Sequence, residues 1–260
     1  MDFDQFLKQA CPPQDLIWRK YRRRAARHRV QARIKELGLP GLPAYLERLR
    51  SDPQEGVALA NLMRITVSRF FRDRPSWEAL GQSVLPNLLE KKAAGQPLRI
   101  WSAGCCGGEE PYTLALLWQN TFSHKPVDIL ATDIDQDSLA RAHQATYTAG
   151  SLREVPRHLL EQYFRQAEDR WVLDDQIKRL VRFEQCDLME TPVAGPMDVI
   201  CCRYLAFTYY TGRRLNGVIH HFWTTLNPGG ALMIGRKEVA RITEVPFDPW
   251  PDAPGVFRKR

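Results

Sequence analysis

The chain has 260 residues, a formal net charge of +7, and a composition 44% hydrophobic and 26% charged, the balance of a soluble globular protein with one large domain or two modest ones. No apolar run approaches the roughly 18–20 residues of a membrane-spanning helix, and MDFDQFLKQA has no apolar segment of signal-peptide length, so a cytoplasmic location without membrane insertion is expected. The six cysteines form no C-x-x-C pair and have no spaced histidine cluster beside them, which argues against zinc and for small hydrophobes in a reducing compartment.

Residues 1–85 read as a helical, basic domain. In DLIWRKYRRRAARHRVQARIKELGL, Ile17, Tyr21 and Ala25 form one helical stripe, followed by Ala26, Val30, Ile34 and Leu37 on the next. Gly38 and Pro40 stop that helix. Between Trp18 and Lys35 lie nine Lys or Arg and no acid, a segment that attracts anions unless it is simply a solvated face. LPAYLERLR and EGVALANLMRI continue the helical pattern and lead into TVSRFFRDRPSWEAL.

From about Gln96 short apolar runs alternate with amphipathic segments: LRIWSA then EEPYTLALLWQ, VDILATD then QDSLARAHQA, MDVICC then GRRLNGVIHHFWTTL, and finally ALMIG. That alternation predicts an α/β domain over 86–260, with a mostly parallel sheet whose ligand lies beyond the C-terminal strand ends. The charged, β-leaning stretch 170–185 is expected to form a short antiparallel flap.

Three stretches carry candidate chemistry. The turn Ala103-Gly104-Cys105-Cys106-Gly107-Gly108 joins a strand to a helix but matches neither a P-loop nor the dinucleotide fingerprint. Glu109 and Glu110 at the helix start suit the helix dipole and would repel a pyrophosphate. A nucleoside bearing a positive group, such as S-adenosylmethionine (SAM), fits those charges; a plain helix N-terminus fits them equally. Asp133 ends ILATD about 30 residues later, where an acid accepts ribose hydroxyls, whereas Asp135 and Asp137 read as caps of the next helix. Asp187 ends VRFEQCD, in a place to meet an adenine amino group.

The series ITVSRFFRD (65–73), WSAGCCGGEEPYTLAL (101–116), ATDID (131–135), VRFEQCDL (181–188), CRYLAFTYY (202–210) and NPGGALMIGRKE (227–238) resembles the chemotaxis receptor methyltransferase (CheR) family in order and spacing. The resemblance covers roughly residues 15–258. It implies a Rossmann-like class I SAM-dependent methyltransferase domain preceded by a small all-helical domain, acting without a metal. The implied reaction esterifies a carboxylate, either a protein glutamate or a small organic acid, and yields S-adenosylhomocysteine. By position, Thr66, Ser68, Arg72, Ala103, Gly104, Glu110, Asp133, Asp187, Leu188, Arg203 and Tyr204 would hold the cofactor. Arg72 would also orient the acceptor carboxylate. The family tyrosine falls on Thr208 without a gap or on Tyr209 with one insertion; Tyr209 is preferred because Thr-Tyr-Tyr then matches an aromatic pair.

Departures from the family pattern are Thr66, Asp187 and Tyr204, each where the family usually has Asn. They motivate an alternative, a non-catalytic module that senses SAM or its product. Leu-Ala-Phe-Thr-Tyr resembles a free-standing branch, and the flap lacks the Gly-rich loop that grips a receptor tether. In the family the basic helix faces the acceptor, so Arg22, Arg23, Arg27 and Arg29 would recruit an acidic surface or a small acid. No nucleic-acid-binding motif accompanies the charge, and a monomer is expected. The fold would also bring Cys105 or Cys106 near Cys201 or Cys202, which packing explains and which a redox role would require.

Overall fold

The structure, a computed structural model, describes residues 1–63, 68–188, 193, 195–238 and 247–260. In chain order the helices are α1 (Phe3–Ala10), α2 (Arg24–Glu36), α3 (Leu42–Ser51), α4 (Pro53–Leu62), α5 (Arg74–Ala79) and α6 (Leu85–Glu90). Then come β1 (Leu98–Ala103), α7 (Glu109–Phe122), β2 (Val127–Asp133), α8 (Gln136–Gln144), β3 (Thr146–Tyr147), α9 (Ala149–Leu152) and α10 (Arg157–Tyr163). Next are β4 (Phe164–Ala167), β5 (Arg170–Leu173), α11 (Asp175–Lys178), β6 (Val181–Gln185) and β7 (Met197–Cys201). The chain closes with α12 (Ala206–Tyr209), α13 (Gly212–Thr225), β8 (Leu226–Met233), β9 (Phe247–Pro249) and β10 (Val256–Lys259). They form two compact units, residues 1–65 with 205–217, and residues 66–204 with 218–260.

The smaller unit is helical because its caps and stripes are local. Asp2 and Gln5 make a capping box at α1, and Asp52 caps α4 ahead of Pro53. Ala26, Val30 and Ile34 form the buried stripe of α2. The helix starts at Arg24 rather than near Asp15: Asp15 is left-handed (φ 53°), and Trp18–Tyr21 is a 3₁₀ turn. The earlier stripe is offset by one position from Ala26, and Arg22 to Arg24 crowd like charges there. Phe6 stacks between Phe3 and Tyr45, with ring centroids 6.0 and 5.8 Å away. Buried Glu55 accepts from Arg33 at 2.8 Å and from the Tyr45 hydroxyl at 2.8 Å, tying α2, α3 and α4 together.

The larger unit is built on a seven-stranded sheet ordered β6-β2-β1-β7-β8-β10-β9. The pairs β6-β2, β2-β1, β1-β7 and β7-β8 are parallel, and β10 runs antiparallel to β8 and β9. Strands β1 and β7 are almost wholly buried, as central parallel strands must be. Strand order reverses between them, which opens a crevice at their C-terminal ends. The helical residues 74–85, grouped with the N-terminal domain by their periodicity, pack here instead: Trp77, Leu80, Val84 and Leu85 share one core with β1 and α7. Helical spacing marks an apolar face without saying which core receives it.

The flap differs from its expected bounds. Antiparallel pairing runs β3-β5-β4, over residues 146–173, while Val181–Gln185 is a parallel edge strand paired with β2 from Ile129↔Val181 to Asp133↔Gln185. Phe183 draws that strand inward, its ring 5.5 Å from Tyr112 and 5.1 Å from His143.

Candidate active site

Where β1 ends, the backbone turns through Gly104 (φ 77°), Cys106 (φ 53°) and Gly108 (φ 89°) before α7 begins. The Gly104 and Cys105 N–H groups both donate to the Thr132 carbonyl at 2.8 and 2.9 Å, pinning the turn to β2. A Cβ at Gly108 would come within 3.0 Å of the Tyr112 ring and 3.1 Å of the Ala142 Cβ, so only glycine fits that close approach. The Asp133 carboxylate braces the turn from below: one oxygen accepts from the Cys106 N–H at 2.8 Å, the other from the Asp135 N–H at 2.9 Å. Asp135 in turn caps α8 through the Ser138 N–H.

The two acids at the start of α7 are both buried, and burial pushes both carboxyls above the usual range. Glu110 accepts from the Ser102 hydroxyl at 2.8 Å and lies 3.7 Å from the Arg203 guanidinium. Glu109 bonds Ser68 yet keeps Oε2 buried without a partner.

Arg72 lies in a constrained segment. Its neighbours Phe71 (φ 50°) and Asp73 (φ 61°) are both left-handed. The Phe71 N–H donates to Thr113 on α7, and the Trp77 indole donates to the Arg72 carbonyl at 2.9 Å. Backbone outliers clustered around one cation are the kind of strain that functional sites store.

Beyond β7, the Arg203 side chain is 3% exposed and joins three elements. It donates to the Arg72 carbonyl, pairs with Asp73 at 3.0 Å, and lies over the Trp77 ring at 4.7 Å. Tyr204 follows with φ 60°, its N–H held by buried Glu238 at 2.8 Å and its hydroxyl donating to Asp73. The Arg72 guanidinium stacks 3.5 Å above the Tyr204 ring centroid. Burial alone would raise the Asp73 carboxyl, but the Tyr204 hydroxyl and the Arg203 charge outweigh it and hold it below its ordinary value. Burial, then the bond to Asp73, push the Tyr204 phenol up to about 12.

Ser68, Arg72, Ala103, Gly104, Glu110, Asp133, Arg203 and Tyr204 thus come together around the ends of β1 and β7. Half-buried Asp187 and Leu188 follow Cys186, whose N–H donates to the Asp133 carbonyl at 3.1 Å. Thr66 lies outside the described residues. Tyr209 belongs to the smaller unit, buried with its ring 5.4 Å from Tyr21. In that unit Arg22 pairs with Asp4 at 2.7 Å, Arg27 lies over Phe3 at 5.2 Å, Arg29 donates to the Leu62 carbonyl at 2.6 Å, and Arg23 is exposed. Asp73 and Glu238 were missed as members of the cluster, whereas Glu109 reads with Glu110 as an acid suited to a positive group. Asp73 and Glu238 both stand inside the quoted motifs, and only their partners in the folded chain single them out: Arg203 and the Tyr204 hydroxyl for Asp73, the Tyr204 and Gly235 N–H groups for Glu238.

The cluster suits SAM. Among the described residues two buried polar atoms have no partner there, Glu109 Oε2 and Arg203 Nε, an acceptor and a donor beside a glycine turn. A ligand carrying both an ammonium and a carboxylate, as the methionine part of SAM does, satisfies both. Among the described residues no group of three or more His, Cys, Asp or Glu is arranged to hold a metal ion. The register Ser102↔Cys201 brings the cysteine-bearing strand ends side by side. Burial raises the Cys105, Cys106 and Cys201 thiols, which favours their protonated form.

Comparison with known proteins identifies the family. The family model "CheR methyltransferase, SAM binding domain" matches residues 66–249. Chemotaxis protein methyltransferase 2 of Vibrio cholerae is 34% identical over 216 residues, 79% of this chain and 73% of that protein. A probable chemotaxis protein methyltransferase of Rhizobium etli is 34% identical over 221 residues, 81% and 82% of the two chains. The chemotaxis protein methyltransferase of Vibrio parahaemolyticus is 27% identical over 268 residues, covering 99% of this chain and 95% of its own. With the match running from just ahead of the Arg72 segment through β9, this chain belongs to the CheR methyltransferase family and uses SAM as its cofactor.

Proposed function

We propose that this methyltransferase O-methylates a carboxylate, with a glutamate on an acidic protein surface or a small organic acid as acceptor. The observation that carries the reading is Arg72, a cation stacked on Tyr204 within the cluster that also holds Glu110 and Arg203. The adjacent acid Asp73 is hydrogen-bonded by Arg203 and the Tyr204 hydroxyl, with the Arg72 charge acting on it more weakly. A planar guanidinium in that setting receives a carboxylate with good geometry.

Bound SAM supplies an electrophilic methyl group, and losing it leaves the neutral thioether S-adenosylhomocysteine. Glu109 and Glu110 would hold its ammonium, Asp133 its ribose, Asp187 and Leu188 its adenine, with Ser68, Ala103, Gly104, Arg203 and Tyr204 completing the enclosure. Thr66 and Tyr209 enter by family correspondence alone. The acceptor carboxylate, with an ordinary pKa of about 4.3, is ionised at neutral pH, so the chain need not remove a proton. What Arg72 contributes is orientation of the attacking oxygen; tighter pairing would quench the nucleophile. Arg22, Arg23, Arg27 and Arg29 would gather an anionic acceptor.

The test is transfer of tritiated methyl from SAM into lysate of the host cell, followed by base treatment. Label released as methanol is expected, and the fraction that held it identifies the acceptor as protein or small acid. Base-stable label would refute ester formation. Calorimetric SAM binding with no transfer to any carboxylate would instead favour a sensor.

A further inference from the structure

Tyr204 stands where the family usually carries Asn, and its conformation suits that residue better: at φ 60° a bulky side chain is strained, while Asn is tolerated. The strain is held by specific bonds. Glu238 Oε2 accepts the N–H groups of both Tyr204 and Gly235, at 2.8 and 2.7 Å. A Cβ at Gly235 would come within 2.8 Å of the Tyr204 Cζ, so the ring packs closely against bare glycine backbone. The Arg72 guanidinium covers the ring at 3.5 Å. Such a seat for an aromatic ring serves more than packing.

We infer that Tyr204 is a positioning residue for Arg72: its ring fixes the guanidinium by stacking, and its hydroxyl, bonded to Asp73, keeps that carboxylate from competing with the acceptor. The inference rests on the proposed role of Arg72 in receiving a carboxylate. Stacking uses the face of the guanidinium and not its in-plane N–H donors, which are the groups a carboxylate needs. Asp73 directly follows Arg72 in the chain and is its natural ion-pair partner. Its Oδ2 is shared instead between Arg203 and the Tyr204 hydroxyl. An Asn at 204 would supply neither the platform nor the reach to Asp73.

The experiment reads Arg72 directly. In nuclear magnetic resonance spectra of the full chain, the Arg72 Hε proton is expected upfield, shifted by the ring current, in the wild type and in Tyr204→Phe, and near its ordinary position in Tyr204→Asn. Glutarate serves as the carboxylate probe, with SAM affinity measured separately by calorimetry. Its dissociation constant should rise about 5- to 10-fold in Tyr204→Asn, the loss of a desolvated cation–π contact. In Tyr204→Phe the rise should be smaller and should disappear on adding Asp73→Asn. Asn suits the left-handed backbone, so Tyr204→Asn tests the ring without adding strain. An unshifted Arg72 signal in the wild type, or equal glutarate affinity in all variants, would overturn the role of Tyr204. No glutarate response in the wild type, with the upfield signal intact, would overturn carboxylate receipt by Arg72 while leaving the stacking established.

Discussion

Tyr204 and Asp73 stabilise each other in opposite protonation states, and the pH dependence separates them. The phenol is raised to about 12, so the unfolded chain ionises first as pH rises. Its contribution is full below the ordinary tyrosine pKa of about 10 and is lost as pH approaches 12. Asp73 is depressed, so its contribution is present above the ordinary carboxyl range and is lost as pH falls through its folded value. Urea midpoints measured against pH should fall more steeply between pH 10 and about 12 in the wild type than in Tyr204→Phe, where the other buried phenols still titrate; identical curves would remove the Tyr204 phenol from the account. Ser102 offers a second test, because its hydroxyl donates to buried Glu110 Oε1. Ser102→Ala should cost about 1–3 kcal/mol in chemical denaturation, the penalty for depriving a buried carboxyl of a donor.

Among the elements, the turn from β1 into α7 tolerates little change. Gly108 and Gly95 share left-handed backbone, with φ of 89° and 80°, but an added Cβ meets Tyr112 and Ala142 only at Gly108. Gly95→Ala should cost about 1–2 kcal/mol from conformation alone. Gly108→Ala should cost more and should weaken SAM binding by calorimetry, since it moves the backbone that carries the cofactor turn. In the helical unit, Glu55 is 3% exposed and draws Arg33 and Tyr45 to one point. Arg33, then Tyr45, lower its carboxyl despite burial, so this contribution persists above the ordinary carboxyl range and is lost on acidification. Glu55→Ala should destabilise the unit by about 2–3 kcal/mol, discounted because Arg33 remains partly solvated. Helical circular dichroism at pH 7 and pH 4 checks both magnitude and sign. Both sites involve a local motif whose consequence depends on a neighbour distant in the chain.

At the scale of the molecule the net charge of +7 is unevenly spread, and the exposed cations of the 18–35 segment are not all neutralised within their own unit. Arg22 and Arg29 have partners, whereas Arg23 and Arg24 are exposed at the start of α2. Reversing Arg23 and Arg27 to Glu should leave the calorimetric SAM affinity unchanged and reduce methyl transfer into lysate acceptors. That reduction should shrink as ionic strength rises, because screening removes the attraction from the native protein as well. Unchanged transfer would assign the segment to solvation only.

The alternation of apolar runs with amphipathic segments was enough for the α/β class, because strand and helix periods are written in neighbouring residues. The glycine turn, the acid after β2 and the order of the motifs were likewise legible, being stretches that one backbone crossing brings together. Three things were not. The helical residues 74–85 joined the larger unit, the flap ended before β6, and Asp73 met Tyr204 across 131 positions. Each depends on which surfaces pack together, and a periodic pattern specifies an apolar face but not its partner. Tyr204 is the sharpest instance: in the sequence it is a departure from a family asparagine, and only the folded chain shows the ring packed against Gly235 and under Arg72.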